Sequence, residues 1–182
     1  MLQSSYKDYL YNRVREMQKK FNNSIFIIFL GVIFGSFSKY CDGSHYEFLY
    51  KFGLFTSALT LWLIIFTIFI YLGNTKRHSL KITGSFMIPM FISYYGYSYY
   101  FSEYLSIKMV YFWIAMLLIS MMLLNKVWNI RYTKMFKYLF VVASLLCLSY
   151  DFMFIIGAQF IIFIPQVILV LIVYFYINKV QR

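Results

Sequence analysis

A chain of 182 residues with 62% hydrophobic, 24% aromatic and only 13% charged residues lacks the charged surface of a soluble domain, where about a quarter of residues carry charge. Its net charge of +11 needs no nucleic acid to explain it, because basic residues clustered at one membrane face produce the same excess. Apolar runs long enough to cross a bilayer need about 17 to 25 residues each. Six such runs make the expected fold class an all-α polytopic membrane helical bundle.

The first 23 residues are mainly polar and are expected to form a cytoplasmic amphipathic segment. In YKDYLYNRVREMQKKFN, residues 6 to 22, Leu10, Val14, Met17 and Phe21 recur at helical spacing, with the basic residues on the remaining faces. Such a helix lies in the headgroup plane or docks on a cytoplasmic partner, and the membrane surface is the better fit. No small-residue cleavage site of the A-x-A kind follows the first apolar run, so that run is expected to stay as an anchor.

The predicted spans are residues 24–40, 53–73, 83–102, 109–125, 136–151 and 158–178, with a short tail at 179–182. Gly31 and Gly35 in the first form a small-xxx-small pair, expected to seat a neighbouring helix of the same chain. Pro89 in the third and Pro165 in the sixth are expected kinks. Fourteen basic residues fall in the N-terminal arm, the second and fourth connections and the tail, whereas only Lys39, Lys51 and Lys108 fall on the opposite side. With acidic residues included, the balance is +12 against −1. Both termini are therefore expected in the cytoplasm, against anionic lipids.

The connection after the first span, SKYCDGSHYEF at residues 38–48, gathers Cys41, Asp42, His45 and Glu47. Asp42-Gly43-Ser44 is a turn signature. Thiol, imidazole and carboxylates are zinc ligands, and Cys41 with His45 has the composition of a nucleophile and its base. The plainer reading is a solvated rim at the outer face, and it is the one adopted. Cys147 falls in the same leaflet as Cys41, so the two would form a disulfide only if their helices were neighbours in an oxidising compartment.

The third span ends in ISYYGYSYYFSEY, where Tyr94, Tyr95, Tyr97, Tyr99 and Tyr100 cover every face of a helix. Most of that is an interfacial belt, but some rings must point inward, with Gly96 permitting close approach. Tyr95 and Tyr99, with Gln166 and Gln159 of the sixth span, are the candidate ligand-binding residues, grouped with Pro165 around one outward-facing cavity. Thr56 and Thr60, one turn apart, read as packing glue between helices. Asp151 and Glu103 are expected at the outer rim, where an ionisable group costs little.

No phosphate-binding glycine loop, H-E-x-x-H, G-x-S-x-G or paired intramembrane aspartate is present, and no cofactor is expected. GVIFGSFSKYCD (31–42), the second span opening KFGLFTSALTLWLII and the third ending ISYYGYSYYF resemble a family of small, uncharacterised six-span bacterial membrane proteins. In that family the first helix ends in a glycine-containing run with a basic residue and an aspartate, and the third carries a Ser-Tyr-Tyr motif. The likeness covers most of residues 25 to 150; it implies the six-helix fold and carries over no reaction and no site residue. Richness in Lys, Ile, Asn, Tyr and Phe also looks like a low-GC bacterial source.

The function expected is that of a non-enzymatic bacterial plasma-membrane protein. It would bind a small or lipid-like ligand, or serve as the membrane subunit of a transport or immunity system beside a membrane or ATPase partner. The alternative is an outward-facing membrane-embedded enzyme or metal-binding protein using Cys41 and His45.

Overall fold

Apolar runs broken by short polar connections leave the backbone only one way to satisfy its hydrogen bonds in hydrocarbon without a closed barrel, which is the helix. The computed structural model describes residues 24–101, 107–156 and 160–180, without the side chains of 154–156, 160 and 161. The amphipathic segment before residue 24, Glu103 and Gln159 lie outside them. Among the described residues there are seven α-helices and no strand: α1 (Ser24–Asp42), α2 (Glu47–Ser57), α3 (Leu59–Leu72), α4 (Lys76–Phe101), α5 (Ile107–Val127), α6 (Lys134–Tyr150) and α7 (Phe160–Val180). A 3₁₀ turn at Trp128–Ile130 follows α5 and a π-helical turn at Asp151–Ile156 follows α6.

Four helical stretches are long and apolar enough to cross a membrane: Ser24–Asp42, Ile107–Ile130, Lys134–Met153 and Ile162–Val180. The pair α2 and α3 makes a fifth if counted as one bent span. Length and composition thus select four or five of the six expected spans. The predicted span 83–102 falls, up to residue 101, within α4, which has no charge between Ile82 and Phe101, but its run of Tyr and Ser lowers its hydropathy. Its inner face is sequestered instead, burying Ser79, Ile82, Thr83, Phe86, Met87 and Ser98.

The predicted span 53–73 is not one helix. It breaks at Ala58, whose extended backbone (φ −70°, ψ 136°) separates α2 from α3 at a bend of 55°. No proline is involved, whereas both proline-containing helices, α4 and α7, remain continuous. The break exposes the first backbone N–H groups of α3, and an acid 92 positions away satisfies two of them. Asp151 accepts Leu59 N–H at Oδ1 and Thr60 N–H at Oδ2, each at 2.8 Å. Asp151 is fully buried, so the expectation that it sits at the outer rim is corrected: its charge is held by a helix N-terminus inside the bundle.

Two packed cores share α3. One joins Ile64, Ile70 and Tyr71 of α3 to Phe136 and Phe140 of α6, Val173 and Ile177 of α7, and Leu124 of α5. The other joins Phe69 of α3 to Ile27 of α1 and to Ile82, Phe86 and Met87 of α4. The α1–α4 contact is the most extensive in the molecule, and the glycine pair makes it possible. A methyl group on Gly35 would stand 2.2 Å from the Met90 carbonyl oxygen, and one on Gly31 2.4 Å from that of Phe86. The pair therefore packs within the chain, as expected. Gly96 does the opposite of what was expected, since nothing lies within 4 Å of a methyl placed there.

Gly35→Leu is expected to lower stability by about 3 kcal/mol, because backbone cannot yield as a side chain can. Gly96→Ala should be neutral or stabilising by roughly 0.5 kcal/mol through lower backbone entropy. Thermal unfolding of both variants in one detergent checks the contrast.

Candidate functional site

The C-terminal end of α1 closes as the turn signature requires: Gly43 N–H reaches Lys39 O at 3.2 Å and Ser44 N–H reaches Cys41 O at 3.1 Å. Cys41 and Asp42, however, belong to the last helical turn of α1 and not to the loop. α2 then folds back against that turn at Gly53, where a methyl group would meet Asp42 Oδ1 at 2.5 Å and Asp42 N at 2.8 Å. This contact presses Asp42 between α1, α2 and α4. Tyr94 of α4 donates its hydroxyl to Asp42 Oδ2, Ser57 lies beside both, and Lys39 Nζ sits 5.3 Å from the Tyr94 ring centre.

Below this cluster lies a cavity of about 70 Å³ between α1, the α2–α3 break, α4 and α5. At roughly 10–15 Å³ per water molecule, that is room for about five waters, or for the ring or chain end of a larger molecule. Trp62 of α3 and Trp113 of α5 form one wall, their rings 5.8 Å apart and edge to face. Tyr94 and Tyr95 of α4 form another, 5.1 Å apart, and Met87, Met90, Met116 and Leu117 fill the remaining surface. Methionine adapts to irregular shapes and tyrosine and tryptophan offer flat apolar faces, so the lining suits an apolar guest.

The polar atoms of the lining set the orientation such a guest would take. Ser38 Oγ and Trp62 Nε1 are both buried without a hydrogen-bond partner. Of the other lining hydroxyls, Thr56 donates to Gly53 O at 2.9 Å and Ser120 to Met116 O at 2.8 Å, while that of Tyr94 is taken by Asp42. An indole N–H can only donate, and a buried donor left unpaired costs on the order of 1–3 kcal/mol. A guest with a carbonyl, ether or hydroxyl oxygen placed beside Trp62 removes that cost.

Of the candidate residues read from the sequence, Tyr95 lines this cavity, whereas Tyr99, one turn further along α4, is 73% exposed and is not part of the lining. Gln166 is fully buried in α7 away from the cavity lining, and Gln159 lies outside the described residues. Cys41 is buried in the bundle while His45 is exposed in the turn, so one is inside and the other outside. Asp42 is engaged by Tyr94, and Glu47 pairs with Lys51 on the exposed side of α2. Among the described residues there is no group of three or more His, Cys, Asp or Glu able to hold a metal ion. Cys41 and Cys147 are both free thiols.

Sequence reading passed over Trp62, Trp113 and Ser38. Only their coincidence on separate helices marks them, although the two tryptophans in mid-span, away from the usual interfacial position, were a usable signal. No protein-family model, curated protein or solved structure matches the chain, so the role of the cavity is argued from its geometry.

The Asp42–Tyr94 contact is open to a double-mutant cycle. Tyr94→Phe should cost about 2 kcal/mol in the native background, as hydrogen bonds to charged groups do, and much less when Asp42 is already Ala. Thermal or denaturant unfolding of the four proteins gives the coupling directly.

Proposed function

We propose that this is an integral membrane protein of a bacterial plasma membrane that crosses the bilayer six times, with both termini cytoplasmic. Its role on this reading is to bind a small or lipid-like molecule in the cavity between α1, the α2–α3 break, α4 and α5. Support for six passes comes from the four long apolar helices, to which the bent pair and α4 add one crossing each. The orientation is supported by the charge balance of +12 against −1 across the connections.

The observation that carries the binding reading is the pairing of an aromatic and methionine lining with two unpartnered buried polar atoms, Ser38 Oγ and Trp62 Nε1. A region serving only as packing would bring neither an open volume nor an unpaired indole N–H. The ligand class that fits is an uncharged molecule with one apolar ring or chain and one oxygen acceptor. Asp42 does not recruit a cation here, because it is already engaged by Tyr94 and close to Lys39.

Native mass spectrometry of the tagged chain, extracted from its host in mild detergent, tests the proposal. The expected result is a bound mass of defined value that is lost from Ser120→Phe, which fills the cavity from the lightly packed α5. A wild-type protein that carries no such mass, or a variant that retains it, rejects the cavity as the binding site. Stoichiometric co-purification of an ATPase or second membrane protein would instead support the subunit reading.

A further inference from the structure

A second group of buried polar side chains lies where α3, α6 and α7 meet, outside the cavity. Gln166 of α7 is fully buried with neither amide atom hydrogen-bonded, and Ser144 Oγ of α6 is likewise buried and unpartnered. Thr60 and Asp151 are fully buried as well. Burying a carboxamide with both ends unsatisfied is costly in any apolar medium, so a group of this kind points to a polar occupant.

The register of the helices brings Thr60 and Gln166 to one level, with Ser144 lower on α6. At the cytoplasmic end on the reading above, the Tyr71 ring lies 5.7 Å from Phe136 and 5.8 Å from Tyr176, which aligns α3, α6 and α7 there. At about 1.5 Å per residue, Thr60 is roughly 16 Å up α3 from Tyr71 and Gln166 roughly 15 Å up α7 from Tyr176, whereas from Phe136 Ser144 is roughly 12 Å and Asp151 roughly 22 Å up, its carboxylate bonded to the start of α3. Gln166 shares the α7 face of Val173 and Ile177, which pack into the core with Ile64 and Phe140. Asp151, on the α6 face of Ser144, is tied to Thr60 by its backbone bond. Both α2 and α7 also pack on the π-helical turn that Asp151 begins.

We infer that this layer binds a small monovalent cation, sodium being the ion that fits. Each carboxylate oxygen of Asp151 accepts one backbone N–H and keeps further lone-pair capacity. No basic side chain among the described residues stands against it. Gln166 Oε1 and the Thr60 hydroxyl add neutral oxygens, the donor type that hard cations take. A single carboxylate, already partly balanced by the N-terminus of α3, matches one positive charge and not two. The inference stands independently of the cavity, none of whose lining it uses.

The test is thermal unfolding of the purified full chain in one detergent, in sodium, potassium or choline chloride at equal ionic strength. Sodium is expected to raise the midpoint over choline by on the order of 5 °C at saturating concentration, with little effect from potassium. Asp151 is left unchanged because it holds the start of α3. Gln166→Leu should abolish the sodium increment while unfolding in choline at or above the wild-type midpoint, because it removes an unsatisfied amide; Ser144→Ala, roughly 10 Å further down α6 than Asp151, should leave the increment in place. Identical midpoints in all three salts, an equal shift in potassium, or a sodium increment unchanged in Gln166→Leu would overturn the site.

Discussion

The two hydrogen bonds from Leu59 and Thr60 N–H to the Asp151 carboxylate are the constraint on which the arrangement of this bundle depends. A helix broken inside an apolar layer exposes donors at one end and acceptors at the other, and each unsatisfied group there costs several kcal/mol. A carboxylate facing the new N-terminus takes up two donors at once and meets the positive end of the α3 dipole. The same geometry makes the buried charge tolerable. Charge and break are mutually dependent, so neither would be stable in this position without the other.

From that joint the rest of the packing follows. α3 is fixed at its start by α6 and at its end by Tyr71, whose hydroxyl donates to Arg131 O at 2.6 Å. It then presents one face to the α6–α7 core and another to α1 and α4. The α1–α4 pair needs close backbone approach instead of large side chains, which Gly31 and Gly35 provide. α5 contributes Leu124 to the shared core but keeps most of its apolar surface outward. The cavity forms between this lightly held helix and the α1–α4 pair, where the bend in α2–α3 keeps the four walls from closing.

Features set by nearby residues were legible in the sequence. The all-helical class, the turn after Asp42 and the intramolecular role of the Gly31/Gly35 pair all follow from local chemistry, and the structure agrees. The break at Ala58 was not legible, because FTSALT carries no proline or glycine and its cap comes from residue 151. Asp151 was misplaced for the same reason: position near a span end suggested an exposed rim, whereas its partner draws it inside. Gly96 was credited with close packing that no neighbour supplies. At the site, Tyr95 could be found from a tyrosine run too dense for one face, but Ser38, Trp62 and Trp113 come from three different helices and meet only in the folded chain.

The break also explains why so small a bundle carries two separate polar features. Thr56, just before Ala58, lines the cavity, while Thr60, just after it, lies at the Asp151 carboxylate. The two are four residues apart in one covalent segment, joined through the extended backbone of Ala58 in an otherwise helical span. Any change in the bend moves one threonine relative to the other. Were an occupant on either side to prefer one bend angle, it would act on the other side by linkage, with an effect reciprocal in binding free energy. A continuous helix would hold Thr56 and Thr60 rigidly one turn apart and would pass no such signal. What the chain gains from an interruption stabilised by a buried carboxylate is a joint between its two polar regions.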